Sequence, residues 1–357
     1  MKKPITITGL DMGSSKFCAV SAEIGTSGGS RILGIQSVPG RGVQRGHVVD
    51  LNLAVDSVSR LLERLEEKSS RKADNVYANI SGQSIAAQKA RGMVSLSMSG
   101  REITEGDMRR CVSVASTIRL PFDRDIIHKI VHSYTIDDQT ELKNPLGLYG
   151  SRLAVEIYVV SANINHMQNI QKVINNCGRE LRGLVFSGMA DSLSLLDNEE
   201  REASVILVDI GSSLTEVSMF QEGVMKHVEV ASWGASDLRG TPDADDGLRG
   251  VILRIKEKTD EFDAKNIRFR TVIVSGGGSL VDGMIEAFES GLGIRAGRGM
   301  VKGLTGNISS LESVIATTAI GLARFAGRDH EKNAKYQPNN LVRNLSSKIV
   351  DTFNNYF

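Results

Sequence analysis

Two stretches of the chain share one hydrophobic pattern. Residues 7–20 read Ile-Thr-Gly-Leu-Asp-Met-Gly-Ser-Ser-Lys-Phe-Cys-Ala-Val, and residues 205–217 read Val-Ile-Leu-Val-Asp-Ile-Gly-Ser-Ser-Leu-Thr-Glu-Val. Each predicts an apolar strand, a tight turn and a second strand. Asp-x-Gly-Ser-Ser thus occurs twice, at 11–15 and 209–213, which implies an internal duplication. Between the two hairpins, apolar residues at Leu51, Val55, Val58, Leu61, Leu62 and Leu65 recur with a helical period over 51–67, behind Asp50 as N-cap. Residues 31–38 and 75–80 read as strands. From about 84 the texture changes to strands at 92–98, 126–136 and 152–161, a helix running to about Ser116, and a polar loop at 137–144. An amphipathic helix at 164–177 stops at Gly178, followed by a strand at 181–187, a helix at 189–196 and an acidic turn at 198–202.

The second half continues with a strand at 224–230, a turn at 232–237 and a helix at 243–262 whose acidic N-terminus suits the helix dipole. A strand at 271–275 enters the triple-glycine turn Gly276-Gly277-Gly278. One small-residue helix is expected over 310–326, then a polar linker over 327–340 and a terminal segment over 341–357.

With 357 residues, the chain exceeds what one core usually supports, so at least two domains are expected. Apolar residues make up 41% and charged residues 24%, the composition of an ordinary globular protein. A net charge of +1 supplies no bulk attraction to nucleic acid. Three scattered cysteines, Cys18, Cys111 and Cys177, fit a reducing compartment and offer no Cys-x-x-Cys metal motif. His128 and His132 are four apart, but their surroundings are rich in β-formers, so they read as structural. Residues 1–4 are not followed by the apolar core of a signal peptide, and no run is long enough to span a membrane.

Three strand–turn units therefore carry the candidate chemistry: Asp11, Gly13, Ser14, Ser15 and Lys16; Asp209, Gly211, Ser212, Ser213 and Thr215; and Gly276, Gly277 and Gly278. Glycine in such turns leaves successive backbone N–H groups unshielded, a nest for phosphate oxygens. The serine hydroxyls add hydrogen bonds, and Lys16 offsets phosphate charge. Asp11 and Asp209 suit a magnesium ion held through its water shell. A Walker lysine loop is absent from the sequence.

In this order, the three units resemble the actin/Hsp70/sugar-kinase superfamily. Within it, the chain resembles the bacterial cell-division FtsA family over nearly its whole length. The resemblance rests on residues 9–16, Arg45-Gly-His-Val-Val-Asp50, 79–82, 144–147 with 153–160, 205–217, 272–278 and 316–322. It implies an α/β, actin-like ATPase fold of two ribonuclease-H-like lobes. Residues 1–83 and 162–200 would form the first lobe, 84–161 an inserted FtsA-type subdomain, and 201–326 the second lobe. It also implies an ATP and Mg site between the lobes, with two phosphate loops and an adenosine turn at Gly276–Gly278. The chain departs from the family twice. Ser212, Ser213, Leu214 and Glu216 stand where the family has Gly, Gly, Thr and Asp, and only a remnant at 235–270 occupies the place of a further subdomain. A reduced wall of the nucleotide cleft follows.

Over 341–357, Leu341, Val342, Leu345, Ile349, Phe353 and Tyr356 form a stripe of helical period. Such a helix lies on a membrane and does not cross it. With the family's own terminal targeting helix, this implies a peripheral protein on the cytoplasmic face of the membrane. It would anchor an FtsZ-type filament, self-polymerise, and act as a weak Mg-dependent ATPase at most. The alternatives are a scaffold like the pilus protein PilM binding a partner peptide, a structural descendant without nucleotide, and a kinase or phosphatase of the superfamily.

Overall fold

The computed structural model describes residues 5–25, 30–137, 139–303 and 309–335. The chain opens with an antiparallel meander, β1 (Ile5–Met12), β2 (Lys16–Ile24) and β3 (Ser30–Pro39). A small hairpin follows, β4 (Val43–Gln44) with β5 (His47–Val48), and then α1 (Leu51–Ser69). The Asp50 carboxylate accepts from the Leu53 amide at 2.9 Å and satisfies a donor that the helix leaves unpaired. Val58, Leu61, Leu62 and Leu65 are buried on the face that covers the sheet, each worth about 1.5–3 kcal/mol. The crossover delivers β6 (Asn75–Ile80) parallel to β1.

An inserted unit follows. It comprises β7 (Ala86–Ser95), β8 (Arg101–Glu102), α2 (Glu105–Ala115), β9 (Arg124–Ile136), β10 (Gln139–Leu142), β11 (Tyr149–Gly150) and β12 (Arg152–Asn163). Its main sheet has the order β10-β9-β12-β7, with its own core of Val94, Cys111, Val131, Tyr134, Leu153 and Ile157. The Thr104–Asp107 capping box starts α2, and Arg101 clamps Asp107 through two bonds of 2.7 and 2.6 Å. The chain returns through α3 (Ile164–Asn176) to β13 (Glu180–Phe186), then α4 (Ser187–Leu195) and α5 (Asn198–Glu202).

The second lobe repeats the plan with β14 (Val205–Ile210), β15 (Thr215–Gln221), β16 (Val224–Ala231), α6 (Asp246–Asp263), β17 (Thr271–Ser275), α7 (Met284–Leu292) and β18 (Arg295–Arg298). The first sheet runs β13-β6-β1-β2-β3 and the second β16-β15-β14-β17-β18. In both, a three-stranded antiparallel meander is extended by two parallel strands beyond its first strand. The duplication inferred from two hairpins thus extends to whole sheets. Between β16 and β17 the structure holds two single-turn helices and α6. Finally α8 (Ser310–Ile315) and α9 (Thr317–Lys335) close the described chain. The small residues of α9 let it pack closely on β1 and α4: a Cβ on Gly9 would meet the Ala319 carbonyl, and one on Gly321 the Ala190 carbonyl.

Four expectations need correction. Residues 198–202 form a short helix, not a turn, because Asp197 and Glu200 build a capping box. The loop at 137–144 contains β10, which extends the sheet beside β9. The helix expected over 310–326 is broken at Ala316, where Thr317 turns its hydroxyl onto the Ser313 and Val314 carbonyls. The linker expected from 327 begins no earlier than 336, since α9 continues to Lys335 and Asp329 accepts from the Tyr77 hydroxyl at 2.7 Å. The segment 341–357, with Leu341, Val342, Leu345, Ile349, Phe353 and Tyr356, lies outside the described residues.

Candidate functional site

Because β1–β2 and β14–β15 are equivalent hairpins on facing sheets, their turns come together. Each turn is closed the same way: the Gly13 amide donates to the Lys16 carbonyl at 3.1 Å, and the Gly211 amide to the Leu214 carbonyl at 2.9 Å. The Ser213 hydroxyl donates to the Ser14 hydroxyl at 2.8 Å, so the loops touch across the interface between lobes. Ser14 Oγ also accepts from the Arg45 amide at 3.0 Å.

Not every expected residue is placed to meet a phosphate. Thr215 is buried and donates its hydroxyl to the Trp233 carbonyl at 2.9 Å, so it braces the loop. Ser212 Oγ lies 2.7 Å from Ser236 Oγ. The Ala235 and Ser236 amides donate to the Gly211 and Ser212 carbonyls, both at 2.9 Å, so the segment that follows Trp233 straps the back of the second loop. Ser15 is exposed, and its carbonyl accepts from Gly40 at 3.0 Å. Lys16 spends one bond on the Ile315 carbonyl at the end of α8, at 2.7 Å. Gly276 has φ +75°, and any Cβ there would run into Asp209 and Ile210; Gly278 is packed on Ile210. Gly277 alone of the three is exposed, with open space where a Cβ would stand. The triple glycine is therefore chiefly the surface on which the second loop rests.

Beneath the loops lies a group of carboxyls. Asp11 accepts from the Asn79 side chain at 2.8 Å, while Asn79 in turn accepts from the Met12 amide at 2.9 Å. Asp209 accepts from the Ser275 hydroxyl at 3.1 Å. Glu216 is buried and accepts from the Ser81 hydroxyl, a bond from first lobe to second. Asp191, in α4, is fully buried, with the Thr318 hydroxyl beside its carboxyl. Burial raises the proton affinity of all four. Asp11 is pushed up to about 6, with Lys16 opposing and Asp209 reinforcing, and Glu216 up to about 8, with Asp209 reinforcing. Asp191 is raised by burial and then by Asp209 and Glu216; Asp209 is raised by burial against Ser275 and Lys16. Asp191 escaped the sequence analysis. Its only signal was a lone acid inside the small, apolar run Met189-Ala-Asp-Ser-Leu-Ser-Leu195.

This arrangement suits a magnesium nucleotide. The Ser212 and Ser213 amides make no hydrogen bond within the described residues, as a phosphate nest requires. Buried carboxyls are concentrated below, and a cation beside them would favour their ionised forms. No cluster of three or more His, Cys, Asp or Glu among the described residues is close enough to ligate an ion directly. Asp11 and Asp209 would suit a magnesium ion that keeps several waters.

The comparisons with known proteins agree with this geometry. Residues 82–161 match the family model described as the SHS2 domain inserted in FTSA. The cell division protein FtsA of Escherichia coli strain K12 is 32% identical over 246 residues, covering 67% of this chain and 58% of that protein. The chain is FtsA-like. The FtsA of Pseudomonas aeruginosa is likewise 32% identical, over 224 residues, covering 63% of this chain and 53% of the relative. This FtsA-like chain thus spans a little more than half the length of the curated relatives it matches. In solved structures, PilM in the PilM–PilN type IV pilus biogenesis complex superposes with a TM-score of 0.65 at 15% identity, covering 90% of this chain and 98% of that one. EutJ, the ethanolamine utilization protein of Carboxydothermus hydrogenoformans, gives 0.51 at 15% identity over 91% of each chain. The fold is that of the actin-like ATPases.

Proposed function

We propose that this FtsA-like chain is a nucleotide-binding, membrane-tethered adaptor of bacterial cell division. It holds ATP with magnesium between Asp11–Lys16 and Asp209–Thr215, self-associates, and anchors an FtsZ-type filament to the cytoplasmic face of the inner membrane. The observation that carries the nucleotide part is the meeting of two equivalent Asp-x-Gly-Ser-Ser turns from two equivalent sheets above a shared carboxyl group. The division part is supported by the match of residues 82–161 and by the relatives' printed role.

When bound, magnesium would supply positive charge to the phosphate oxygens. The chain's own residues do the remaining work. The Ser212 and Ser213 amides would bind phosphate, Asn79 orients Asp11, and Ser275 orients Asp209. No helix among the described residues is long and apolar enough to cross a membrane. The membrane contact is assigned to the stripe Leu341, Val342, Leu345, Ile349, Phe353 and Tyr356, for which a lateral, reversible association follows from an amphipathic helix. Flotation with anionic liposomes tests this directly. The full chain should float and a chain lacking 341–357 should stay at the bottom; equal flotation of both refutes the tether. The PilM-like alternative predicts no dependence on that segment.

A further inference from the structure

Glu216, Ser218 and Phe220 alternate along β15, so they share one face of the strand, and all three are buried. Phe220, with Met225 and Val228 of β16, belongs to the same apolar cluster as Phe186 and Met189 of the first lobe. Ser218 lies against the start of α4, so close that a Cβ on Gly188 would run into its hydroxyl. Glu216, next to the second loop, accepts from the Ser81 hydroxyl, and the Ser187 hydroxyl stands beside its carboxyl. This face therefore meets the first lobe through apolar packing at one end and through a hydrogen bond at the other, with about 13 Å of strand between Phe220 and Glu216. Apolar packing is non-directional and survives a small rotation, whereas a hydrogen bond weakens steeply once its geometry is lost. A motion that parts the lobes at the loops pivots near Phe220 and breaks the Ser81–Glu216 bond.

Ser81 is fixed on its own side. Gly46, in the turn between β4 and β5, has φ +79° and sits so close to the Ser81 carbonyl that a Cβ would collide with it. The Gly46 carbonyl lies 2.7 Å from His166 Nε2, and His166 Nδ1 lies 2.9 Å from Ser84 Oγ. The Arg45 amide of the same turn donates to Ser14 Oγ at 3.0 Å, and Asn79, which orients Asp11, also donates to Ser187 Oγ at 3.3 Å. The partner of Glu216 thus belongs to the framework that carries the first loop. We propose that the Ser81–Glu216 hydrogen bond is a latch that holds the two lobes together at the loops and limits how fast a ligand passes between them. Glu216 acts as a positioning residue. It pairs in register with Asp209, but its carboxyl crosses to the first lobe while that of Asp209 stays on Ser275 in its own lobe. Without the Ser81 donor the buried Glu216 carboxyl loses a partner, and opening to water becomes the less costly state. The latch stands on the chain's own contacts; its control of ligand passage rests on the nucleotide reading above.

The test uses the full chain and two measurements. The first is hydrogen–deuterium exchange without nucleotide, followed in residues 187–195 and 215–221, the two surfaces that the latch presses together, with 51–69 in α1 as internal reference. Ser81→Ala should speed exchange at both surfaces on the order of tenfold and leave 51–69 within about twofold. Glu216→Gln keeps the side-chain length and an acceptor for Ser81, so it should stay within about threefold of the wild type at both surfaces. The second measurement is release of methylanthraniloyl-labelled ATP in the presence of magnesium, chased with unlabelled ATP in stopped flow. Release should be on the order of tenfold faster from Ser81→Ala than from the wild type. Unchanged exchange at 187–195 and 215–221 in Ser81→Ala, equal acceleration at 51–69, or a Glu216→Gln variant as open as Ser81→Ala overturns the latch. Faster exchange with unchanged release overturns its control of ligand passage. A wild type that binds no nucleotide overturns the nucleotide reading and the release step with it, and exchange alone then decides the latch.

Discussion

His128 gives the clearest test of how the inserted unit is tied to the first lobe. It lies on β9, fully buried, and its Nε2 accepts from the Phe186 amide at 2.9 Å, at the junction of β13 and α4. The ring meets Phe325 of α9 edge-on, with centroids 5.7 Å apart. Burial holds its pKa down at about 3, against 6.5 in an unfolded chain. A depressed folded pKa means that the unfolded state takes up a proton first. The stability linked to His128 is therefore intact above pH 6.5 and is lost progressively as pH falls towards 3. Linkage gives a loss of about 2 kcal/mol between pH 7.5 and pH 5 from this residue alone. His128→Gln keeps an acceptor for the Phe186 amide and removes the titration. Urea unfolding of both proteins at pH 7.5 and pH 5 should show the wild type losing about 2 kcal/mol more than the variant. Parallel losses, within about 0.5 kcal/mol, would mean that the ring is not buried uncharged as the structure has it.

Two further predictions address the close contacts at the centre of the molecule. Gly321→Ala forces a methyl against the Ala190 carbonyl between α9 and α4 and should cost about 1–3 kcal/mol in urea unfolding; a cost below about 0.5 kcal/mol would contradict that packing. Ser213→Ala removes the bridge to Ser14 that a phosphate must displace. Its nucleotide affinity should rise a few-fold, on the scale of about 1 kcal/mol for one half-buried hydrogen bond, and a fall in affinity would show that the hydroxyl contacts phosphate instead.

The duplicated hairpins were legible because the information is local: apolar runs flank an Asp-x-Gly turn, and those features fix strand, turn and outward amides together. Helix α1 was legible for the same reason, through its period and Asp50. The short helix at 198–202 carried its signal in Asp197 and Glu200, but a five-residue helix has no apolar stripe to announce it. The extension of α9 to Lys335 depends on a distant partner: polar residues after Gly327 read as linker until Tyr77 is placed beside Asp329. Long-range packing also explains what the site analysis missed. Asp191 becomes a buried acid only because α9 covers α4. Thr215 looked like a phosphate ligand until Trp233 appeared as its partner, and one donor of Lys16 turned out to be held by Ile315. Residue types and spacing identified the two loops, whereas the role of each side chain within them depended on which distant backbone lay behind it.

Whether the paired loops bind a nucleotide is measured most directly through Trp233. It is the only tryptophan in the chain, and its carbonyl accepts from Thr215 in the second loop. Energy transfer from Trp233 to a methylanthraniloyl-labelled ATP should rise saturably with nucleotide when magnesium is present. It should be displaced by unlabelled ATP and weakened at least about tenfold in Asp209→Ala, as expected from losing a group that holds the ion's waters. A wild-type protein that shows no saturable transfer at millimolar nucleotide with magnesium would contradict the account.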